Sequence, residues 1–150
     1  MQKDRIELDL ERFLVQFRGQ KTDFYRFSGN YGDSLIYHGT KALLDRLNIV
    51  PEFVEIESEI LNETLFIDGG GNFVDEYNDV YNFLLKKHDK YRKIVIFPHT
   101  IAGEKQKVLI PKFGANVTIF CREEISYRFV KNLVTKAECY LWHDCAFYND

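Results

Sequence analysis

A chain of 150 residues, 45% of them hydrophobic and 29% charged, has the balance of one ordinary globular domain, and wholesale disorder is excluded. Twenty Lys and Arg against 23 Asp and Glu leave a formal net charge of -3, too weak for a nucleic-acid tail or a polybasic membrane anchor. The opening Met1-Gln2-Lys3-Asp4-Arg5-Ile6-Glu7 has no apolar core, and no run approaches ~18 apolar residues, so neither a signal peptide nor a spanning helix is expected. Three irregularly spaced cysteines read as reduced thiols of a cytoplasmic protein. Aromatic residues reach 15%, from 13 Phe, nine Tyr and one Trp. They imply either a thick core or a surface on which sugars stack.

The elements follow from periodicity. Ile6, Leu10, Phe13, Leu14 and Phe17 recur at helical spacing and predict an opening helix over about residues 3–18. A short strand from Thr22 to Phe27 leads into the turn Ser28-Gly29-Asn30-Tyr31-Gly32-Asp33. The next helix shows Ile36, Leu43, Leu44 and Leu47 on one face, with Asp33 or Ser34 as N-cap. Pro51 to Glu57 reads as a second strand and Thr64-Leu65-Phe66-Ile67 as a third, ending in Asp68-Gly69-Gly70-Gly71-Asn72. Val74, Tyr77, Tyr81, Leu84, Leu85 and His88 predict one helical stripe, with Lys86 and Lys87 near its C-terminal dipole. Ile94 to Phe97 is an unbroken apolar strand that Pro98-His99-Thr100 should stop, and Glu104 to Phe113 has no clear pattern. The strand Val117 to Cys121, a helix bearing Ile125, Phe129, Val130 and Leu133, and a strand from Glu138 to Trp142 complete the chain.

Strands alternating with helices, with apolar residues at successive strand positions, predict one α/β domain. Its sheet is open, doubly wound and mostly parallel, with helices on both faces. In such a sheet the C-terminal ends of all strands share one edge, where ligands bind. Gly29 to Asp33, Asp68 to Asn72, Pro98 to Thr100, Arg122-Glu123 and His143-Asp144 all fall at strand ends, so the fold should gather them on one rim.

Gly69-Gly70-Gly71 before a helix lets backbone approach a ligand closely, although a tight turn also uses glycine. Gly29-x-x-Gly32 lacks the third glycine of a dinucleotide fingerprint, which counts against a nicotinamide cofactor. Arg122, after an apolar strand, either clamps a carboxylate or phosphate or pairs with Glu123, Glu124 or Asp144. His99 is the candidate catalytic acid or base, and its alternative is a hydrogen-bonded structural residue. His38 and His88 lie on helices and read as structural. Cys139, His143 and Cys145 match no closed zinc pattern, so no metal is expected. No nucleophile elbow, Walker loop or Cys-x-x-Cys is present.

Gly29-Asn30-Tyr31-Gly32-Asp33-Ser34 before an amphipathic helix resembles the opening motif of the polysaccharide pyruvyl transferase family. Thr64 to Asn72, Ile94 to Ile101, and Thr118 to Ser126 with its Arg122-Glu123-Glu124-x-Ser126 resemble the family's next three motifs in order. Tyr140 to Phe147 resembles the segment closing the N-terminal half of family members. The resemblance implies a transferase that moves the enolpyruvyl unit of phosphoenolpyruvate onto a sugar hydroxyl pair as a ketal. The setting would be exopolysaccharide or cell-surface glycan synthesis, and no cofactor is needed beyond that donor substrate. It also implies a second domain that the 150 residues do not include, or a homodimer in its place, and little activity from this half alone. By motif, Arg122 is the donor contact, and Asn30, Asp33, Gly69, Gly70, Gly71, Asn72 and Glu123 shape the substrate floor. Half of a nucleotide-sugar glycosyltransferase and a non-catalytic assembly module are the alternatives.

Overall fold

Two runs of consecutive apolar residues set the architecture. Leu65, Phe66 and Ile67, and Ile94 through Phe97, are all buried, although successive side chains on a strand point to opposite faces. Both faces must therefore be covered, the condition of an interior parallel strand. The computed structural model describes residues 6–27 and 31–149, positions 31–33 by backbone alone. In it these runs form the central strands β3 (Thr64–Ile67) and β4 (Lys93–His99) of a six-stranded sheet. On one side lie β1 (Lys21–Tyr25) and β2 (Val50–Phe53), on the other β5 (Val117–Cys121) and β6 (Glu138–Leu141). The order is β2-β1-β3-β4-β5-β6, and every pairing is parallel.

Helices α1 (Leu10–Leu14) and α2 (Tyr31–Arg46) cover one face; α3 (Asp79–Lys87), α4 (Glu104–Leu109) and α5 (Glu124–Lys131) cover the other. Strand alternation sorts the core by chemistry. Phe24, Phe66, Phe97 and Phe120 point to the α1–α2 face, whereas Leu65, Ile67, Ile94, Ile96 and Ile119 point to the α3–α5 face. Much of the aromatic excess is therefore core: Phe66 meets Phe17 edge-on at 5.4 Å and tilts against Phe97 at 5.1 Å. Each such burial contributes about 1.5–3 kcal/mol, before any aromatic pairing gain.

Several elements differ from their sequence outlines. The opening helix is shorter than the 3–18 outline: α1 starts after Asp9, whose carboxylate accepts from the Arg12 N–H, and a 3-10 turn over Val15–Phe17 ends it. Ahead of it, Ile6 accepts a backbone hydrogen bond from Leu141, so Glu7 pairs with the β6 edge instead of joining a helix. α2 begins at Tyr31, which puts Asp33 and Ser34 inside its first turn and not at its cap. α3 begins five residues later than Val74, and Tyr77 and Leu85 are exposed; Val80, Phe83, Leu84 and Lys87 form the buried stripe. Lys87 is tolerated there because its ammonium donates to the Ser58 carbonyl. β4 does not stop at Pro98; a register shift between Ile96 and His99 absorbs the missing donor. The unpatterned stretch at 104–113 is α4 followed by a 3-10 turn. On α5, Ile125 is 81% exposed while Ser126, Tyr127 and Val130 are buried.

Pro51 has a positional meaning on the open edge. Val50 and Val54 donate to Gln20 and Phe24 of the neighbouring strand, so the nitrogens of Pro51 and Phe53 face outward, and Pro51 has no hydrogen to offer.

The C-terminal 3-10 turn Cys145–Tyr148 packs onto α2 at Gly39, where a Cβ would overlap the Cys145 carbonyl oxygen. Backbone on both sides leaves little room to relax. Gly39→Ala is expected to destabilise the protein by about 2 kcal/mol or more, despite the ~1 kcal/mol that alanine gains in a helix. Denaturant unfolding of the two proteins, compared by midpoint at unchanged slope, measures this.

Candidate functional site

The chain runs outward from β1 to β2 and then returns to build β3 through β6 on the other side, so the topology reverses between β1 and β3. Open parallel sheets bind ligands at the carboxyl edge beside such a reversal. Here the ladder continues past the strands: Gly70 N–H donates to the Pro98 carbonyl, and Thr100 N–H to the Gly70 carbonyl. Arg122 N–H donates to His99 and Trp142 N–H to Cys121. These bonds fix Gly70, Thr100, Arg122 and Trp142 side by side along one rim.

Arg122 is the charged centre of that rim. Its Nε donates to the Thr100 hydroxyl at 2.8 Å and its Nη1 to Asp144 at 3.2 Å. Its Nη2 has no hydrogen-bond partner among the described residues and lies 3.4 Å from where a Cβ of Gly71 would be. Glu123 anchors the same cluster. It accepts from the Thr100 hydroxyl at 2.8 Å and, with its other oxygen, from the Ser126 N–H at 2.9 Å as the N-cap of α5. The Ser126 hydroxyl in turn accepts from the Ile101 N–H. Two of the guanidinium nitrogens are thus held by fixed partners, and the third is presented to a strip of glycine backbone.

The remaining residues expected at the site divide. Gly70 has φ 147°, a backbone value that side chains resist, and Gly71 leaves space for the guanidinium. A Cβ at Gly69 would sit 2.7 Å from the Pro98 carbonyl oxygen, so that glycine permits a close strand–loop approach within the fold. Asn72 turns inward, accepting from Val80 N–H and donating to Asp79, which commits it to holding the start of α3. Asn30 lies outside the described residues, as does the Asp33 side chain.

His99 is fully buried against Phe27, with ring centroids 5.5 Å apart. Neither ring nitrogen has a hydrogen-bond partner of good geometry among the described residues. Desolvation, reinforced by the Arg122 charge and only partly offset by the Phe97 carbonyl, pushes its pKa down to about 3. The ring is therefore neutral at pH 7 and has no solvent path in this arrangement.

Thr100 and Asp144 were visible at strand ends in the sequence, but nothing there linked them to Arg122. Glu7 was missed, because only its pairing beside Leu141 brings it to the rim. Among the described residues no group of three His, Cys, Asp or Glu side chains could hold a metal ion, and no helix is long and apolar enough to cross a membrane.

Fold and rim together define a Rossmann-like α/β domain whose ligand edge is built from glycine backbone and one buttressed arginine. The sequence profile of the polysaccharide pyruvyl transferase family matches residues 30–150, and the chain belongs to that family. A crystal structure of a functionally uncharacterised protein from Klebsiella pneumoniae subsp. pneumoniae superimposes with a TM-score of 0.75 at 26% sequence identity. The alignment covers 93% of this chain and 55% of that one, so the chain spans about half the length of that protein. No curated protein matches the chain.

The state of His99 has a measurable consequence. Below pH 6.5 the unfolded chain protonates this imidazole and the folded chain does not until about pH 3, so stability falls as pH falls through that window. The slope from this one group approaches about 1.4 kcal/mol per pH unit. Unfolding free energies of the native protein and His99→Phe between pH 7 and 4.5 should diverge, with the native protein losing more. Parallel curves would show that the ring is charged or exposed.

Proposed function

We propose that the rim is the donor face of a pyruvyl transfer site, where the enolpyruvyl unit of phosphoenolpyruvate becomes a ketal across two hydroxyls of a sugar. The setting would be exopolysaccharide or cell-surface glycan synthesis. Family membership over residues 30–150 supports the reaction class. The observation that carries the reading is Arg122, held by Thr100 and Asp144 with Nη2 turned to the Gly71 backbone. In the overall step two C–O bonds form at the carbon that carried the phosphate oxygen. The methylene carbon gains one hydroxyl proton, and phosphate leaves with the other. A planar guanidinium suits the donor's carboxylate or phosphate, and glycine backbone lets either approach closely. Glu123 acts through Thr100 and the α5 cap, fixing the arginine's neighbours. His99, neutral and enclosed, supports the rim and does not supply the methylene proton.

Arg122 is 27% exposed, so the rim stands open to water. Transfer needs both substrates held and water excluded, and the reading places turnover where a second surface faces this one. The 150-residue chain by itself is expected to bind donor with little turnover.

Thermal unfolding with added ligand tests this. Phosphoenolpyruvate at ~100 times its dissociation constant should stabilise the fold by about 2.7 kcal/mol, and Arg122→Lys should remove most of that shift because an ammonium cannot replace the fork. Stabilisation by nucleotide sugars alone would assign the site to a sugar-diphosphate donor. No response to either, with Arg122→Lys equally silent, would leave an assembly module.

A further inference from the structure

The formal net charge of -3 is spread unevenly over the sheet. All strands run parallel, so their starts share the edge opposite the rim. The segment that runs along this edge from the end of α3 into β4 reads Lys86-Lys87-His88-Asp89-Lys90-Tyr91-Arg92-Lys93, five cations against one acid. Lys86, Lys90, Arg92 and Lys93 are exposed, while Lys87 turns inward to the Ser58 carbonyl. Lys21 at the start of β1, Lys112 ahead of β5 and Lys136 ahead of β6 are also exposed. None of these three has a side-chain partner among the described residues. The same segments carry fewer acids, Glu59, Glu63, Asp89 and Glu138, and Glu57 is paired with Lys86. The rim is the reverse, with Glu7, Glu123, Glu124 and Asp144 around Arg122.

Beside the basic run, the loop ahead of β3 presents Ile60 and Leu61, 42% and 57% exposed. One open cleft is lined by Ile60, Leu61, Asn62, Glu63, Lys90 and Arg92. A single carboxylate holds both of its sides. Asp23, fully buried, accepts from the Leu61 N–H at 3.1 Å and the Asn62 amide at 2.9 Å. It also accepts from the hydroxyl of Tyr91, which stands between the two cations, at 2.8 Å. A buried charge is costly unless it is well hydrogen-bonded, and here all three donors belong to the segments that carry the exposed patch. The aliphatic pair and the cations are therefore held together. The ion pairs Lys90–Asp89 and Arg92–Glu63, at 3.8 and 3.7 Å, are long and water-exposed, so both cations can exchange partners at little cost.

Aliphatic tips beside clustered cations are the components of an interfacial membrane contact. A single-stranded nucleic acid would need exposed rings on which bases stack, and the rings of this run face inward, Tyr91 onto Asp23 and His88 onto Phe113. We propose that the N-terminal edge of the sheet docks on an anionic lipid bilayer. Ile60 and Leu61 enter the headgroup boundary, and Lys90, Arg92 and Lys93 meet the lipid phosphates. The acidic rim is then turned away from the bilayer. This contact is a folded local patch, unlike the polybasic anchor that the overall charge excludes, and it stands apart from the pyruvyl-transfer reading.

Co-sedimentation of the 150-residue chain with vesicles of phosphatidylcholine, with or without ~30% phosphatidylglycerol, tests this. Binding to the anionic vesicles should be about tenfold tighter than to the neutral ones, the gap closing in high salt. Lys90→Glu with Arg92→Glu should weaken it about tenfold, and Ile60→Ser with Leu61→Ser about fivefold. Both pairs are exposed, so neither should move the melting temperature. Trp142, the single tryptophan, sits at the opposite edge, and brominated lipid in the vesicles should leave its fluorescence unquenched. No preference for anionic vesicles, binding unchanged by either pair of substitutions, or quenching of Trp142 overturns the proposal. So does tighter binding to a single-stranded oligonucleotide that needs Lys90 and Arg92 but not Ile60 and Leu61, which would assign the patch to nucleic acid.

Discussion

The lateral hydrogen bonds that run on beyond the ends of β3, β4 and β5 are what the rim depends on. A parallel ladder fixes register strand by strand, and here it does not stop where the regular strands do. Gly70 is paired to β4 on both its N–H and its carbonyl, Arg122 hangs from His99, and Trp142 from Cys121. The loops after β3, β4 and β5 are therefore extensions of the sheet, held by the same lateral bonds as its interior. A functional group placed this way loses little entropy on meeting a ligand.

The same ladder explains the pairing of a charged arginine with a neutral histidine. His99 is buried because β4 runs one register step past its proline and carries the ring under the rim. A charged imidazole there would face both desolvation and the Arg122 guanidinium. Keeping it neutral spares the Arg122 guanidinium, whose direction is set by Thr100 and Asp144, a second positive charge beneath it.

The class of fold was legible because it follows from a one-dimensional pattern. Thr64–Ile67 and Val117–Cys121 appear with the boundaries that their apolar runs mark. What failed were elements whose stability is tertiary. α4 has only Leu109 and Gln106 buried among its six residues, too few for a period to show. The false first turn at Val74 and Tyr77 arose because apolar residues in a loop mimic a helical stripe when its start is unmarked. The common edge was readable from strand ends, but the commitments of Asn72 to α3 and of Glu123 to α5 were not. Both are polar residues beside glycines or arginine, and only coordinates distinguish a cap from a ligand contact. Glu7 was out of reach for another reason, since its neighbour lies at the far end of the chain.

The two margins of the sheet are finished differently. Along β6 the segment at Ile6 and Glu7 takes up part of the last row of donors and acceptors. Along β2, Val50 and Phe53 are half exposed, an apolar strip of the kind that nucleates fibrils, yet Pro51 removes one of its outward donors. One imino acid thus acts as a gatekeeper, so that this open margin is less apt to become a template for its own polymerisation.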